Sequence, residues 1–281
     1  MNLIDFLKPI YYTALDADGT LISSRGPWHG ETIAETVRRT GFESKEPITA
    51  ELAQQAYNGP GHGMDYFELL KQNLFTPYFD HPQNALNAFR RTLPWVALDI
   101  ENGNFFDGKI KPLPGALEAL KSMERRGIES RVVTMTPSYL AKAFLQRAGM
   151  IQGTTNVSIK VTYINEIFGC ELFSPEKTLD PKIDSRQSPF YSHFYSQFRE
   201  RAQHLTKDRA KLWELSLSFE RDGVHAHQCM IAEDGAQGIQ GAIAFKPNLL
   251  VVLNKKNLKG MHDKKETKLL IANQEGSWET F

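Results

Sequence analysis

The sequence predicts an α/β fold with a Rossmann-like parallel sheet as its core and a helical module inserted into that core. Three observations predict this class. Four short apolar runs rich in Ile, Val and Leu are spread along the chain, helical patterns lie between most of them, and residues 24–108 carry helical patterns without a convincing strand. Short apolar runs alternating with helices are typical of buried parallel strands that helices cover on both faces.

Each element has its own signal. Four apolar runs are predicted to be strands: Tyr11–Leu15, Ile128–Thr134, Cys229–Ala232 and Asn248–Leu253. Three segments place apolar residues on one helical face and lead to a glycine, and they are predicted to be covering helices: Gly115–Arg126, Ser138–Ala148 and Lys207–Arg221. Ligands of such sheets bind at the carboxyl ends of the strands.

The inserted module is predicted to consist of helices alone. Its four helical patterns are Thr32–Thr40, Ala50–Asn58, Met64–Asn73 and Pro82–Thr92. Linkers that contain glycine and proline flank the module on both sides. We therefore expect residues 1–23 and 109–281 to form the core domain and residues 24–108 to form a separate helical domain.

Residues 151–206 form a long insertion in the core, and its pattern is less regular. It contains a predicted strand at Ser158–Ile164, followed by three prolines and by an aromatic cluster at residues 190–198. The spacing of these aromatic residues favours a helix with one buried face. So long a connection is unusual within a compact domain, which indicates a functional or partly mobile segment. The tail, Asn254–Phe281, is charged and weakly patterned.

Composition excludes several classes of protein. Of the 281 residues, 41% are hydrophobic and 23% are charged, as in globular proteins, and 33 basic residues balance 33 acidic ones. No net field draws the chain to nucleic acid or to a membrane, and no apolar run approaches the ~20 residues that span a bilayer. Two cysteines, Cys170 and Cys229, and the lack of a signal-peptide pattern favour a cytoplasmic location.

Chemistry begins where the first apolar run ends. Asp16 and Asp18 stand two residues apart, and alternation along a strand would send both side chains to the same side. Two such carboxylates can hold a hard cation such as Mg²⁺, or one can attack while the other handles a proton. Gly19 permits the turn that leaves the strand. An acidic turn without chemistry is the alternative, because Asp and Gly favour turns for conformational reasons.

Four ordered motifs resemble those of the haloacid dehalogenase superfamily. Residues 16–21 (DADGTL) resemble motif I, whose usual form is DxDGT(L/V), and residues 132–137 (VVTMTP) resemble motif II. Residues 112–120 (PLPGALEAL) resemble the segment that leads into motif II, and residues 231–238 (IAEDGAQG) resemble motif IV. The resemblance covers about residues 9–150 and 205–253, and four signals in order are far more specific than one.

The resemblance implies a mechanism and a Mg²⁺ cofactor. Asp16 would be the nucleophile that forms an aspartyl-phosphate, and Asp18 would protonate the leaving oxygen and then activate water. Thr134 would donate a hydrogen bond to the phosphoryl oxygens. Mg²⁺ would bind the Asp16 carboxylate, the Asp18 carbonyl and the Asp234 carboxylate, with Glu233 beside it. A carboxylate needs a cation and fixed donors to approach a phosphate dianion.

The family also requires a lysine beside the nucleophile. Lys207 fits by its spacing from Glu233 and Asp234, and Lys211 lies one helical turn further on. Lys182 is the rival, because the family often pairs this lysine with a proline. A solvated surface charge is the alternative for each of them.

The helical module resembles the superfamily's helical cap, inserted just after motif I, which selects the leaving group. Thr136, Gly61 and His62 are expected to contact the substrate, and the alternative for the glycine-rich segment 58–63 is a plain turn between helices. His29 either touches the site when the cap closes or simply begins a helix. The His225–His227 pair has no further ligands nearby in sequence, so a zinc site is not expected there.

The resemblance leaves three functions open. The first is a Mg²⁺-dependent phosphatase acting on a small phosphorylated metabolite, and the second is a phosphomutase of the same fold. The third is a binding protein on a retained hydrolase fold, against which the complete motifs argue. Dehalogenation is disfavoured, because those relatives lack the second aspartate of motif I, which is present here as Asp18.

Overall fold

A parallel sheet with helices on its faces organises the chain. The computed structural model describes residues 10–23, 26–60, 66–105, 110–151, 164, 166–169, 225–258, 268–272 and 276–279. Within these ranges six strands form one sheet: β1 (Tyr12–Leu15), β2 (Glu129–Val133), β3 (Glu166–Phe168), β4 (Cys229–Glu233), β5 (Leu249–Val252) and β6 (Lys268–Ile271). All five strand pairings are parallel, and the order across the sheet is β3-β2-β1-β4-β5-β6.

The strand order makes β1 the pivot of the sheet. The chain builds outward from β1 through β2 to β3, and then crosses to the other side of β1 to build β4, β5 and β6. Leu15 pairs with Val132 on one side and with Ala232 on the other, so the three central strands end side by side. The order in which strands are added changes sides at β1. In α/β proteins, ligands bind in the crevice outside the carboxyl ends of the strands at such a switch point.

The segment between β1 and β2 is helical, as the sequence predicts. Its helices are α1 (Trp28–Thr40), α2 (Ala50–Tyr57), α3 (Tyr66–Leu70), α4 (Thr76–Tyr78) and α5 (Pro82–Glu101), and a π-helical turn at Lys71–Phe75 joins α3 to α4. α5 continues nine residues past the predicted end, because Leu93, Val96 and Ile100 extend its buried face through Pro94. The proposed boundaries at residues 24 and 108 lie outside the described residues.

In the described part of the chain, three helices cover the core sheet: α6 (Ala116–Arg125), α7 (Ser138–Arg147) and α8 (Ala236–Phe245). A short 3₁₀ turn at Ala226–Gln228 precedes β4, and another at Lys255–Leu258 follows β5. Apolar side chains of the sheet, of α6 and α7 and of the inserted helices join in one buried cluster. No helix in the described ranges combines the length and apolar character needed to cross a bilayer.

Two strands differ from prediction. The third strand of the sheet lies at Glu166–Phe168, whereas Ile164 is not in a strand and residues 158–163 lie outside the described part of the chain. β6 was not predicted, because its three apolar residues, Leu269, Leu270 and Ile271, follow a charged stretch and the tail as a whole is weakly patterned. The predicted helix at residues 207–221 and the aromatic cluster at 190–198 also lie outside the described residues.

Candidate active site

The first site element is a tight turn after β1, which we call the acidic turn (residues 16–22). The amide of Asp16 donates to the carbonyl of Ala232 at 3.0 Å, so β1 stays paired with β4 up to the turn. The amide of Leu21 then donates to the carbonyl of Ala17 at 2.8 Å. Gly19 has φ of 81°, a left-handed conformation that favours glycine. The chain therefore reverses within a few residues and presents its carboxylates at the sheet's carboxyl edge.

Three carboxylates meet beside this turn. One oxygen each from Asp16, Glu233 and Asp234 lie within 4.8 Å of one another, and Asp16 is only 8% exposed. Gly19 makes room for this approach, since a Cβ on that residue would overlap Oδ2 of Asp234. Carboxylates this close repel one another strongly, because their partial burial lowers the local dielectric constant. A bound divalent cation would relieve that repulsion. The all-oxygen donor set fits Mg²⁺.

Glu233 also supports the start of α8. Its Oε1 accepts hydrogen bonds from the amides of Gly235 at 2.9 Å and of Asp234 at 3.2 Å. A Cβ at Gly238 would overlap the same carboxylate, so the first turn of α8 leaves space for it. A carboxylate at a helix N-terminus is favoured by the unpaired amides there. Glu233 is thus held by its own loop while it faces Asp16 and Asp234.

Asp18 contacts a different set of groups from Asp16. Its Oδ2 accepts a hydrogen bond from Oγ1 of Thr136 at 3.1 Å, and its Oδ1 lies 3.2 Å from Nε2 of His29. The expected alternation does not apply, because β1 ends at Leu15 and both aspartates stand in the turn. The two carboxylates therefore have different surroundings: Asp16 lies with Glu233 and Asp234, whereas Asp18 meets a hydroxyl and an imidazole group.

Tyr57 brings the inserted helices to the same place. Its ring stacks on His29 with centroids 4.0 Å apart, and its hydroxyl shares a hydrogen bond with Thr136. Burial raises the pKa of Tyr57 well above its usual value, and the neighbouring Asp18 carboxylate raises it further. The phenol therefore stays protonated at neutral pH and can serve as a hydrogen-bond donor.

Thr134 directly follows β2 and is buried. Its Oγ1 accepts a hydrogen bond from the amide of Thr136 at 3.2 Å, which shapes the loop that carries Thr136 to Asp18. The register places this loop beside the acidic turn, because β1 and β2 are neighbours. Five predicted residues thus lie at one edge of the sheet: Asp16, Asp18, Thr134, Glu233 and Asp234.

Thr136 is a sixth predicted residue at this edge. Thr136, expected at the substrate, donates its hydroxyl proton to Asp18. Gly61, His62, Lys207 and the rival Lys182 lie outside the described residues. Sequence reasoning missed Tyr57, although an aromatic hydroxyl directly before a glycine-rich segment was a usable signal. It left His29 open between a helix start and a site contact, and His29 does both.

Comparisons with known proteins agree with this architecture. A family model described as haloacid dehalogenase-like hydrolase matches residues 13–176, which is more than half of the chain. None of the curated proteins shows a significant match to the sequence.

Solved structures show the same fold at low sequence identity. CbbY from Rhodobacter sphaeroides in complex with phosphate is 16% identical, with 93% of each chain covered and a TM-score of 0.56. A mutant of CbbY with xylulose-(1,5)bisphosphate is 15% identical, with 93% of each chain covered and a TM-score of 0.55. A structure described as a predicted phosphoglycolate phosphatase from Haemophilus somnus is 15% identical, with 88% of this chain and 86% of that chain covered and a TM-score of 0.50.

Proposed function

Because this chain belongs to the haloacid dehalogenase-like hydrolases, a family of enzymes, we propose that it is a Mg²⁺-dependent phosphatase acting on a small phosphorylated metabolite. One observation carries the proposal. The two aspartates of the acidic turn have separate surroundings, Asp16 beside Glu233 and Asp234, and Asp18 beside Thr136 and His29. A nucleophile and a proton carrier need such different surroundings.

In the first proposed half-reaction, a carboxylate oxygen of Asp16 attacks the phosphorus atom of the substrate. The bond between Asp16 and phosphorus forms while the ester bond to the leaving oxygen breaks, and Asp18 gives that oxygen a proton. Thr134, at the end of β2, is proposed to donate a hydrogen bond to a phosphoryl oxygen, where charge concentrates during transfer.

In the second half-reaction, Asp18 takes a proton from water, and the water oxygen attacks the phosphorus. The bond to Asp16 breaks, so that Asp16 regains its carboxylate and inorganic phosphate leaves. Thr136 holds Asp18 through both steps, because its hydroxyl donates to Oδ2. Lys207 stays a prediction for the cation beside the nucleophile.

The three carboxylates of Asp16, Glu233 and Asp234 are proposed to hold Mg²⁺. Asp16 and Asp234 would supply carboxylate oxygens, and Glu233 lies close enough to contribute directly or through water. Bound Mg²⁺ would offset the repulsion between the Asp16 carboxylate and a phosphate dianion.

The inserted helices are proposed to act as a cap. His29 and Tyr57 from these helices contact Asp18 and Thr136 of the core, so the two parts meet at the reacting groups. A cap in this position excludes water and surrounds the leaving group. Gly61 and His62, in the segment after α2, are proposed to contact that leaving group.

Phosphate release from p-nitrophenyl phosphate and from a panel of phosphorylated metabolites tests the proposal. We expect Asp16→Asn to abolish release and EDTA to do the same until excess Mg²⁺ is added. Asp80→Asn is the matched control, because Asp80 is an exposed aspartate between α4 and α5. Release that survives Asp16→Asn would overturn Asp16 as nucleophile, and turnover in EDTA would remove the metal. Activity only with a sugar phosphate and a bisphosphate primer would indicate a phosphomutase instead.

A further inference from the structure

A tryptophan from the far end of the sequence reaches the acidic turn. Nε1 of Trp278 donates a hydrogen bond to the carbonyl oxygen of Thr20 at 2.7 Å, across 258 positions in sequence. The indole is buried, with 3% of its surface exposed. Thr20 stands two residues after Asp18, within the same turn. A buried N–H···O=C bond is costly to break, because the indole donor would find no water there.

The segment that carries Trp278 is anchored along the core, and we call it the strap (residues 268–272 and 276–279). It begins as β6, and the amide of Ala272 then donates to the carbonyl of Val252 at 2.9 Å. The amide of Gly276 donates to Leu253 at 2.9 Å, and the amide of Trp278 donates to Pro114 at 2.8 Å. The indole is thus held by a backbone that is itself bonded to the sheet and to the segment before α6.

Gly115 has no side chain, and this leaves room for the strap. A Cβ on this residue would lie 2.7 Å from the backbone nitrogen of Glu279 and 2.9 Å from the carbonyl carbon of Trp278. The segment just before Gly115 touches the acidic turn as well, since the amide of Leu113 donates to the carbonyl of Leu21 at 2.8 Å. The strap therefore contacts the acidic turn directly through Trp278 and indirectly through residues 113–115.

We propose that Trp278 is a positioning residue that keeps the acidic turn in its working geometry. The turn carries Asp16, Asp18 and Gly19, and Gly19 packs against Asp234. Within the turn, the amides of Gly19, Thr20, Leu21 and Ile22 donate to the carbonyls of Ala17 or Ile22, and Trp278 adds a hydrogen bond from outside the turn. A displacement of the Thr20 carbonyl moves both aspartates relative to Asp234. The catalytic part of this inference rests on the proposed function, and the structural part does not.

The first test replaces the indole while keeping an aromatic ring. In Trp278→Phe we expect kcat for p-nitrophenyl phosphate to fall about tenfold with KM changed less than about twofold, because the substrate contacts remain. Hydrogen exchange should also quicken in peptides that cover residues 16–23. Trp95→Phe is the matched control, because Trp95 is half-exposed on α5, and it should change neither quantity.

A second pair of variants reaches the strap from the other side. The added Cβ in Gly115→Ala would press on the backbone of Trp278 and Glu279. Gly127→Ala is the control, because Gly127 has φ of 69°, similar to the 75° of Gly115, but open space where the Cβ would lie. We expect Gly115→Ala to reproduce the lower kcat and faster exchange, and Gly127→Ala to leave both unchanged. This pair also serves if Trp278→Phe does not fold.

The outcomes separate the two proposals. If the unaltered chain releases no phosphate, the proposed function fails, and exchange at residues 16–23 alone decides the role of Trp278. Unchanged exchange in both Trp278→Phe and Gly115→Ala overturns the inference whatever the activity. A rise in KM of about tenfold with unchanged kcat would also overturn it, because Trp278 would then affect substrate binding and not the acidic turn.

Discussion

The hydroxyl of Thr136 donates a hydrogen bond to Oδ2 of Asp18 across 3.1 Å. The two residues are 118 positions apart in sequence, and they follow the neighbouring strands β2 and β1. The register between these strands, with Leu15 opposite Val132, brings the two loops together. The proposed proton carrier is therefore oriented by a loop that belongs to a different strand.

Removing that hydroxyl should slow the reaction. In Thr136→Val we expect kcat to fall roughly 10- to 100-fold, since a hydrogen bond to a charged group contributes about 1.5–3 kcal/mol. The loss should be larger for an alkyl phosphate than for p-nitrophenyl phosphate, whose leaving oxygen needs less help from a proton. Thr136→Ser keeps the hydroxyl and should retain most of the activity. Equal losses in the two variants would show that the hydroxyl is not what matters.

The phenol of Tyr57 should matter through the same chain of contacts. Tyr57 shares a side-chain hydrogen bond with Thr136, and the hydroxyl of Thr136 donates to Asp18. Tyr57→Phe keeps the stack on His29 and loses this bond, and we expect kcat/KM to fall about 3- to 10-fold.

Tyr11→Phe is the control for this change, because Tyr11 is exposed at the opposite end of β1. The double variant Tyr57→Phe with Thr136→Val should lose less than the product of the two single losses, since both act on Asp18. Strictly multiplicative losses in steady-state kinetics would mean that the two residues act independently.

A side chain at Gly19 should weaken metal binding. The Cβ of Gly19→Ala would overlap Oδ2 of Asp234, and φ of 81° adds a strain of about 1–2 kcal/mol. We expect the Mg²⁺ dissociation constant, measured by titration calorimetry with Mg²⁺ alone, to rise at least about tenfold. Gly41→Ala carries a similar φ of 71° with open space around its Cβ, so it should lose stability only. Unchanged Mg²⁺ binding in Gly19→Ala would place the metal away from Asp234.

Acid should remove a stabilising contribution in α1. The hydrogen bond from Arg38, with help from Arg39, lowers the pKa of Glu35 from 4.5 to about 2. A lowered folded-state pKa stabilises the fold above the unfolded value near 4.5, and the contribution is lost as pH falls towards 2. Because Arg38 is well exposed, we expect Glu35→Gln to cost only about 0.5–1 kcal/mol at neutral pH.

Urea unfolding of the unaltered chain and Glu35→Gln across that pH range checks this. The difference in free energy of unfolding should shrink as pH falls from about 4.5 to about 2. Glu43→Gln, at an exposed position just after α1, should show no comparable change. A difference that stays constant down to the lowest pH would exclude the Glu35 carboxylate as its source.

Much of the sheet was predictable, because a strand buried on both faces leaves a continuous apolar run. β1, β2, β4 and β5 were found in this way. β6 was not, because its short apolar run, Leu269–Ile271, lies within the charged tail and Ile271 stays exposed at the edge of the sheet. Trp278 was missed for a related reason: nothing near it in sequence marks its contact with Thr20.

Taken alone, the sequence determined the α/β class, the helical insertion and the acidic and hydroxyl residues that follow the strands. These features depend on local periodicity and on the order of residues along the chain. Tertiary structure decided which group each carboxylate meets: Asp16 joins Glu233 and Asp234, while Asp18 meets Thr136 and His29. Such pairings depend on strand register and on contacts between residues far apart in sequence, and local patterns carry no information about either.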